Sequence, residues 1–155
     1  MTIRKAFNSK DDCDFVFTLS NDPIVRRNSF NQEIISYESH CKWYKSTVED
    51  ENTLFFLVFE SDSFVGQIRF KRNDIYSEEC VISLSISESF RGKHISEDFI
   101  RLGICELQNN WKNIKFIIAP ISNKYNDKYF ENILLKYNIH FKYDVDENNI
   151  INLFI

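Results

Sequence analysis

Glycine and proline are scarce here, three and two in 155 residues, which excludes a collagen-like or low-complexity chain. No apolar run approaches the roughly 20 residues that a membrane-spanning helix needs. No basic block offsets the formal net charge of −4, so the charge does not suit a nucleic-acid binder. The four cysteines, Cys13, Cys41, Cys80 and Cys105, match no zinc spacing and no CxxC pair. No histidine stands in a recognisable arrangement with any of them. No metal is expected. There is no internal repeat and no linker. The first residues, Met1-Thr2-Ile3-Arg4-Lys5, enter a strand pattern without a leader. The expectation is a cytoplasmic protein with free thiols and no nucleic-acid or membrane partner, acting as a monomer or homodimer.

What is present is core material. Hydrophobic residues make up 43% of the chain, with fifteen phenylalanines, and the length fits one domain over residues 1–155. Residues 2–7 read as a strand. Ser9, with Asp12 three positions on, starts a helix that carries Phe15, Val16 and Leu19 inward and stops near Asn21-Asp22-Pro23. Pro23 opens a short turn, and residues 28–35 form a loop. Ser36 caps a second helix that carries His40, Trp43, Tyr44 and Val48. Residues 53–60 and 64–71 form a hairpin, and the run from Val81 is its next antiparallel neighbour. A helix to about Asn110, a buried strand at 114–119, a loop at 120–126 and a helix at 127–137 follow. Two strands, 139–143 and 150–154, close the chain.

The chain is organised around residues 80–98, CVISLSISESFRGKHISED. Apolar and small polar residues alternate through Ile86, a strand pattern rich in β-branched residues. Ser87, Glu88 and Ser89 break it. Arg91-Gly92-Lys93 then places two cations around a glycine, and from Ile95 the spacing of Phe99 and Leu102 is helical. A helix start has unpartnered N–H groups and a positive dipole end. Glycine allows the turn its backbone angles. Arg91 and Lys93 add full charges, so the turn reads as a seat for phosphate or pyrophosphate, or else as a plain charged turn.

The order β-α-α-β-β-β-α-β-α-β-β with this turn after the fourth strand resembles the GNAT superfamily of acyl-CoA N-acyltransferases. The residues that carry it are FVGQIRF at 64–70, ISLSISESFRGKHIS at 82–96 and the loop at Asn123. The resemblance implies an α+β, three-layer α/β/α fold: a mixed sheet of about seven strands, splayed between the fourth and fifth, with about four flanking helices. It implies acetyl-CoA in the gap, its pantetheine on the backbone of Leu84, Ser85 and Ile86. Its pyrophosphate would lie on Arg91, Gly92, Lys93, His94, Ile95 and Ser96, with Asn123 near the thiol. Two features depart from the family pattern. His94 and Ser96 stand where small residues are usual in R-G-x-G-x-G/A. The usual leaving-thiolate tyrosine aligns with Phe130, so Tyr129 and Tyr125 are the alternatives for that proton donor.

Residues 21–44 are similar to a segment of GNAT enzymes that acetylate nucleotide-activated amino-deoxysugars, as in pseudaminic-acid-type pathways. The matching positions are Asn21, Asp22, Pro23, Val25, Arg26, Ser29, Phe30, His40 and Trp43. The reaction implied is acetyl transfer to a primary amine, the preferred acceptor being a nucleotide-linked amino sugar. Another small amine or a protein N-terminus is the alternative, as is a non-catalytic CoA- or partner-binding module. Arg26 and Arg69 are either structural or receive the sugar diphosphate. Trp43 or Phe30 offers a flat face to a base. An attacking ammonium must first lose a proton, and Glu79 or His40, with Glu78 weaker, are the candidate bases.

Overall fold

The computed structural model describes residues 1–121 and 128–143, the side chains at 121, 129, 130 and 141–143 excepted. Among the described residues six strands form one sheet in sequential order: β1 (Thr2–Lys5), β2 (Thr53–Glu60), β3 (Ser63–Lys71), β4 (Glu79–Ile86), β5 (Phe116–Ile121) and β6 (Ile139–Tyr143). The first four pair antiparallel, whereas β4 with β5 and β5 with β6 run parallel. Five α-helices accompany them among the described residues: α1 (Lys10–Ser20), α2 (Pro23–Asn28), α3 (Tyr37–Glu49), α4 (Ser96–Asn110) and α5 (Lys128–Lys136). The expected seventh strand, 150–154, lies outside the described residues.

Local chemistry explains most element ends. Ser9 and Ser36 cap α1 and α3 by accepting from the N–H groups of Asp12 and Ser39. The short segment expected only to turn at Pro23 is a six-residue helix. Asp22 caps it by accepting from the N–H groups of Ile24 and Val25, and Pro23 occupies the first turn, where a missing N–H costs nothing. The β2–β3 hairpin turns at Ser61 and Asp62, with φ of 48° and 65°. The fifth strand begins two residues later than expected and includes Pro120. Its register with β4 ends at Val81↔Ile118, so among the described residues Pro120 has only β6 as a strand neighbour. A strand with one free edge tolerates proline.

The apolar run of β2 serves both faces of the sheet. Leu54, Phe56 and Val58 join Ile68, Phe70, Ile82 and the α4 residues Phe99, Ile100 and Leu107 in the larger core cluster. Phe55 and Leu57 face the other way, into a smaller cluster with Cys13, Val16 and Tyr44 of α1 and α3. A strand covered on both faces reads as a continuous hydrophobic segment, as this one does. Gly66 sets the closeness of β3 to β4: a Cβ there would lie 2.2 Å from the Ser85 carbonyl oxygen.

On the α1/α3 face the next two strands change character. Register places Phe55, Arg69 and Ser83 in one cross-strand row, and Leu57, Gln67 and Ser85 in the next. Residues i and i+2 of a strand share a face, so Gln67, Arg69, Ser83 and Ser85 form a polar floor where the sheet would ordinarily carry apolar side chains.

Candidate functional site

β4 parts from β5 halfway along its length. Glu79, Cys80 and Val81 pair with β5, but β3 pairs with β4 as far as Ile86. From Ile82 to Ile86 one edge of β4 therefore has no strand neighbour among the described residues. The gap opens into a cavity of about 770 Å³. One wall consists of residues 82–86, Phe90, Arg91, Gly92, His94, Ile95, Ser96, Ala119, Pro120 and Leu134. The opposite wall comes from α2, the loop after it and α3, with Gln67 and Arg69 of the floor.

The turn before α4 has the backbone expected of an anion seat. Gly92 and His94 both take positive φ, 71° and 56°. His94 pays a conformational cost that glycine would not, because its Cβ crowds the following carbonyl in this region. Ile95, at the N-cap of α4, makes no side-chain cap, so the first N–H groups of this helix are left to solvent or a ligand. Ser96 is half-buried at the first turn. Lys93 is exposed and does not line the cavity; its Nζ lies 5.1 Å over the Phe90 ring.

Arg91 is engaged within the protein. Its Nε donates to the Ile86 carbonyl at 2.9 Å, and Nη2 lies 2.8 Å from Asp22 Oδ1. That charge contact is not aligned as a hydrogen bond, and Nη1 has no partner among the described residues. Burial acts to raise the Asp22 carboxyl, but Arg91 and the Val25 and Ile24 N–H groups outweigh it and hold it below the usual carboxylate range. The contact ties the turn to the cap of α2, so two segments far apart in sequence meet at the cavity.

Arg26 is more fully committed. Its Nε donates to the Ser20 carbonyl, Nη1 to the Asn31 and Glu33 carbonyls, and Nη2 to Ser29 Oγ. Four of its five N–H groups are thus used, one on the end of α1 and three on the segment that follows α2. Arg26 lines the cavity and shapes its wall, and Phe30 lines the same wall.

His40 is 1% exposed and lines the cavity. Its Nε2 lies 3.0 Å from the Cys13 carbonyl oxygen, which can only accept, so Nε2 carries the proton. Nδ1 is then a lone pair, and it has no partner among the described residues. Burial lowers the affinity of the ring for a second proton, against a smaller opposing effect of the Cys13 carbonyl. Trp43 packs at 5.5 Å from the His40 ring, and the Arg69 guanidinium lies 4.8 Å over the Trp43 ring. Arg69 also donates to Ser83 Oγ at 3.0 Å. Burial pushes its guanidinium down to about 10, still cationic at neutral pH.

The structure does not bring every candidate to the cavity. Glu79 is exposed at the start of β4, paired with Phe116, at the end of the strand away from the gap. Glu78 pairs with Lys115 near the same end. Tyr125 and Asn123 lie outside the described residues. Tyr129 is in the first turn of α5, its side chain among those not described. Two contributors escaped the sequence reading. Gln67 stands two positions before Arg69 in an otherwise apolar strand, opposite alternating serines, and that pattern was the available signal. Asp22 as partner of Arg91 left none.

No protein-family model matches the chain, and no curated protein sequence matches it. Solved structures do. The spermidine N-acetyltransferase of Vibrio cholerae, solved with CoA and spermine, superposes with a TM-score of 0.64 over 75% of this chain and 68% of its own, at 16% identity. An N-acetyltransferase from Staphylococcus aureus Mu50 gives 0.70 over 88% and 81%, at 20% identity. A protein assigned as a phosphinothricin N-acetyltransferase gives 0.70 over 88% and 81%, at 19% identity. The chain has the fold of the GNAT N-acetyltransferases, a mixed sheet flanked by helices.

Proposed function

We propose that this protein transfers acetyl from acetyl-CoA to a primary amine, and that its preferred acceptor is an amino group on a nucleotide-linked amino-deoxysugar. The observation that carries the acyl-transfer reading is the free edge of β4 from Ile82 to Ile86, running directly into the Gly92–His94 turn and the uncapped start of α4. An open strand edge can pair with the amides of a pantetheine arm, and the helix start with a pyrophosphate. The solved Vibrio cholerae relative holds CoA, which supports the same use here. The acetyl thioester supplies the activated carbonyl.

The residues then divide the remaining work. The N–H groups of Leu84 and Ile86, which alternate away from β3, receive the oxyanion that forms when the amine attacks. His40 takes the proton that the ammonium must lose, because its Nδ1 is a free acceptor at neutral pH. The carbon–sulfur bond breaks and the thiolate leaves with the electron pair. Tyr129 or Tyr125 remains the proposed donor to it. The α2–α3 wall holds the acceptor, with Phe30 and Trp43 as flat surfaces for a nucleobase. The reading places the reaction in the cytoplasm, where thiols stay reduced.

Thiol release from acetyl-CoA, measured with a nucleotide-linked amino sugar, the same sugar unlinked, and spermidine, tests the reading. The linked sugar should have by far the highest kcat/KM, since the remote nucleotide positions the amine. Equal values for linked and unlinked sugar would leave a general small-amine acetyltransferase. CoA binding without thiol release for any amine would make the protein a binding module.

A further inference from the structure

The polar floor and α3 above it carry three buried atoms without partners among the described residues: Arg69 Nε and Gln67 Oε1 on the floor and His40 Nδ1 on the helix. All three side chains line the same cavity. A buried polar atom left unpaired is costly, and a cluster of them facing one space points to a ligand that completes it. Their chemistry differs in a useful way. Arg69 can only donate and is positively charged, whereas Gln67 Oε1 and His40 Nδ1 can only accept. No aspartate or glutamate is among the described residues that line the cavity.

We infer that the acceptor is an amine that itself bears an oxyanion, a phosphate or a carboxylate, which docks on Arg69 while the amine faces Gln67 and His40. Calling this ligand the acceptor rests on the acyl-transfer reading; the site for an amine with a nearby oxyanion does not. Other cations at the cavity are less suited. Arg26 is occupied with backbone carbonyls, and Arg91 sits against Asp22 and Ile86. Arg69 has a hydroxyl neighbour, Ser83, and no carboxylate partner among the described residues, and its guanidinium lies over the Trp43 ring. The floor also sets a length. Arg69 faces Ser83 and Gln67 faces Ser85, two positions along the strand, roughly 7 Å. Amine and oxyanion are therefore a few bonds apart in the acceptor, as in an aminoalkyl or amino-sugar phosphate or a short amino acid. A polycationic amine meets Arg69 with the wrong charge and finds no acidic side chain among the described residues of the lining to balance it.

The test is a set of calorimetric titrations of the protein, alone and with CoA, using phosphoethanolamine, β-alanine, ethanolamine and spermidine as probes. Phosphoethanolamine or β-alanine should bind at least tenfold more tightly than ethanolamine and spermidine. Which of those two binds better distinguishes phosphate from carboxylate. In Arg69→Gln the advantage over ethanolamine should fall below twofold, and Arg69→Lys should retain part of it. Thermal unfolding of both variants checks that they are folded. The inference is overturned if ethanolamine or spermidine binds as tightly as the anionic probes, or if Arg69→Gln keeps their advantage. A failure of acyl transfer would appear separately, as no CoA binding or no thiol release, with the probe ranking unaffected.

Discussion

At the residue scale, two buried ionisable groups decide what pH does. Asp12 is 2% exposed, accepts from both Nη atoms of Arg4 at 2.8 Å, and takes the Phe7 N–H at 2.9 Å. Burial alone would raise its pKa, but these partners outweigh it and the net shift is downward. A depressed carboxylate stabilises the fold fully above its unfolded value, about 3.9, and that stability is lost as pH falls through the lower folded value. Asp12→Asn should therefore cost on the order of 1.5–3 kcal/mol at pH 7 in a urea titration. Its difference from the parent should shrink below about pH 4. His40 is the opposite kind of group, kept neutral by burial. As the proposed base it should hold kcat/KM level down to below about pH 6.5, the ordinary histidine value. His40→Asn should lower kcat on the order of 10²-fold with little change in KM. A loss under about threefold in that variant, with folding intact, would place the base elsewhere.

At the scale of elements, the start of α4 is the part with a conflict built into it. Ile95 contributes no cap, and its side chain packs against the larger core instead. An added acid at Ser96 would suit the helix dipole by about 0.3–1 kcal/mol. The same charge would repel a bound pyrophosphate. Ser96→Asp should thus unfold at an equal or slightly higher temperature, yet bind CoA at least tenfold more weakly, about 1.4 kcal/mol. If CoA affinity does not change, the phosphates do not use this helix end. The splay of β4 belongs to this scale too. Gly66 lets β3 follow β4 to Ile86, so the strand that leaves β5 is still held on its other edge.

Across the whole molecule, the cavity is the meeting place of parts that share no sequence neighbourhood. The α2 cap reaches the α4 turn through Asp22 and Arg91, and α3 reaches the sheet floor through Trp43 and Arg69. A ligand that bridges these parts should stabilise all of them. CoA at about 100 times its Kd adds about 2.7 kcal/mol to a protein that binds it only when folded. For a chain of this size each kcal/mol raises Tm by roughly 2–4 °C, so a rise of roughly 5–10 °C is expected by scanning fluorimetry. A rise below about 1 °C at saturating CoA would set aside the cofactor half of the proposal.

Sequence by itself determined most of the described elements, because periodicity and caps are local. The double-sided run of β2, the serine caps of α1 and α3 and the strand–turn–helix at residues 80–98 are all readable along the chain. So was the resemblance in element order, and the fold agrees with it. What only the tertiary structure decided is which side chains face one another, since that depends on strand register and on where β4 leaves β5. Glu79 and Ile86 belong to one strand, yet only the second reaches the gap. Arg26, Arg69 and Arg91 look alike as letters. Their donors are directed to loop carbonyls, to the cavity floor and to Asp22, and that difference in partners, which no spacing encodes, leaves Arg69 Nε without a partner among the described residues.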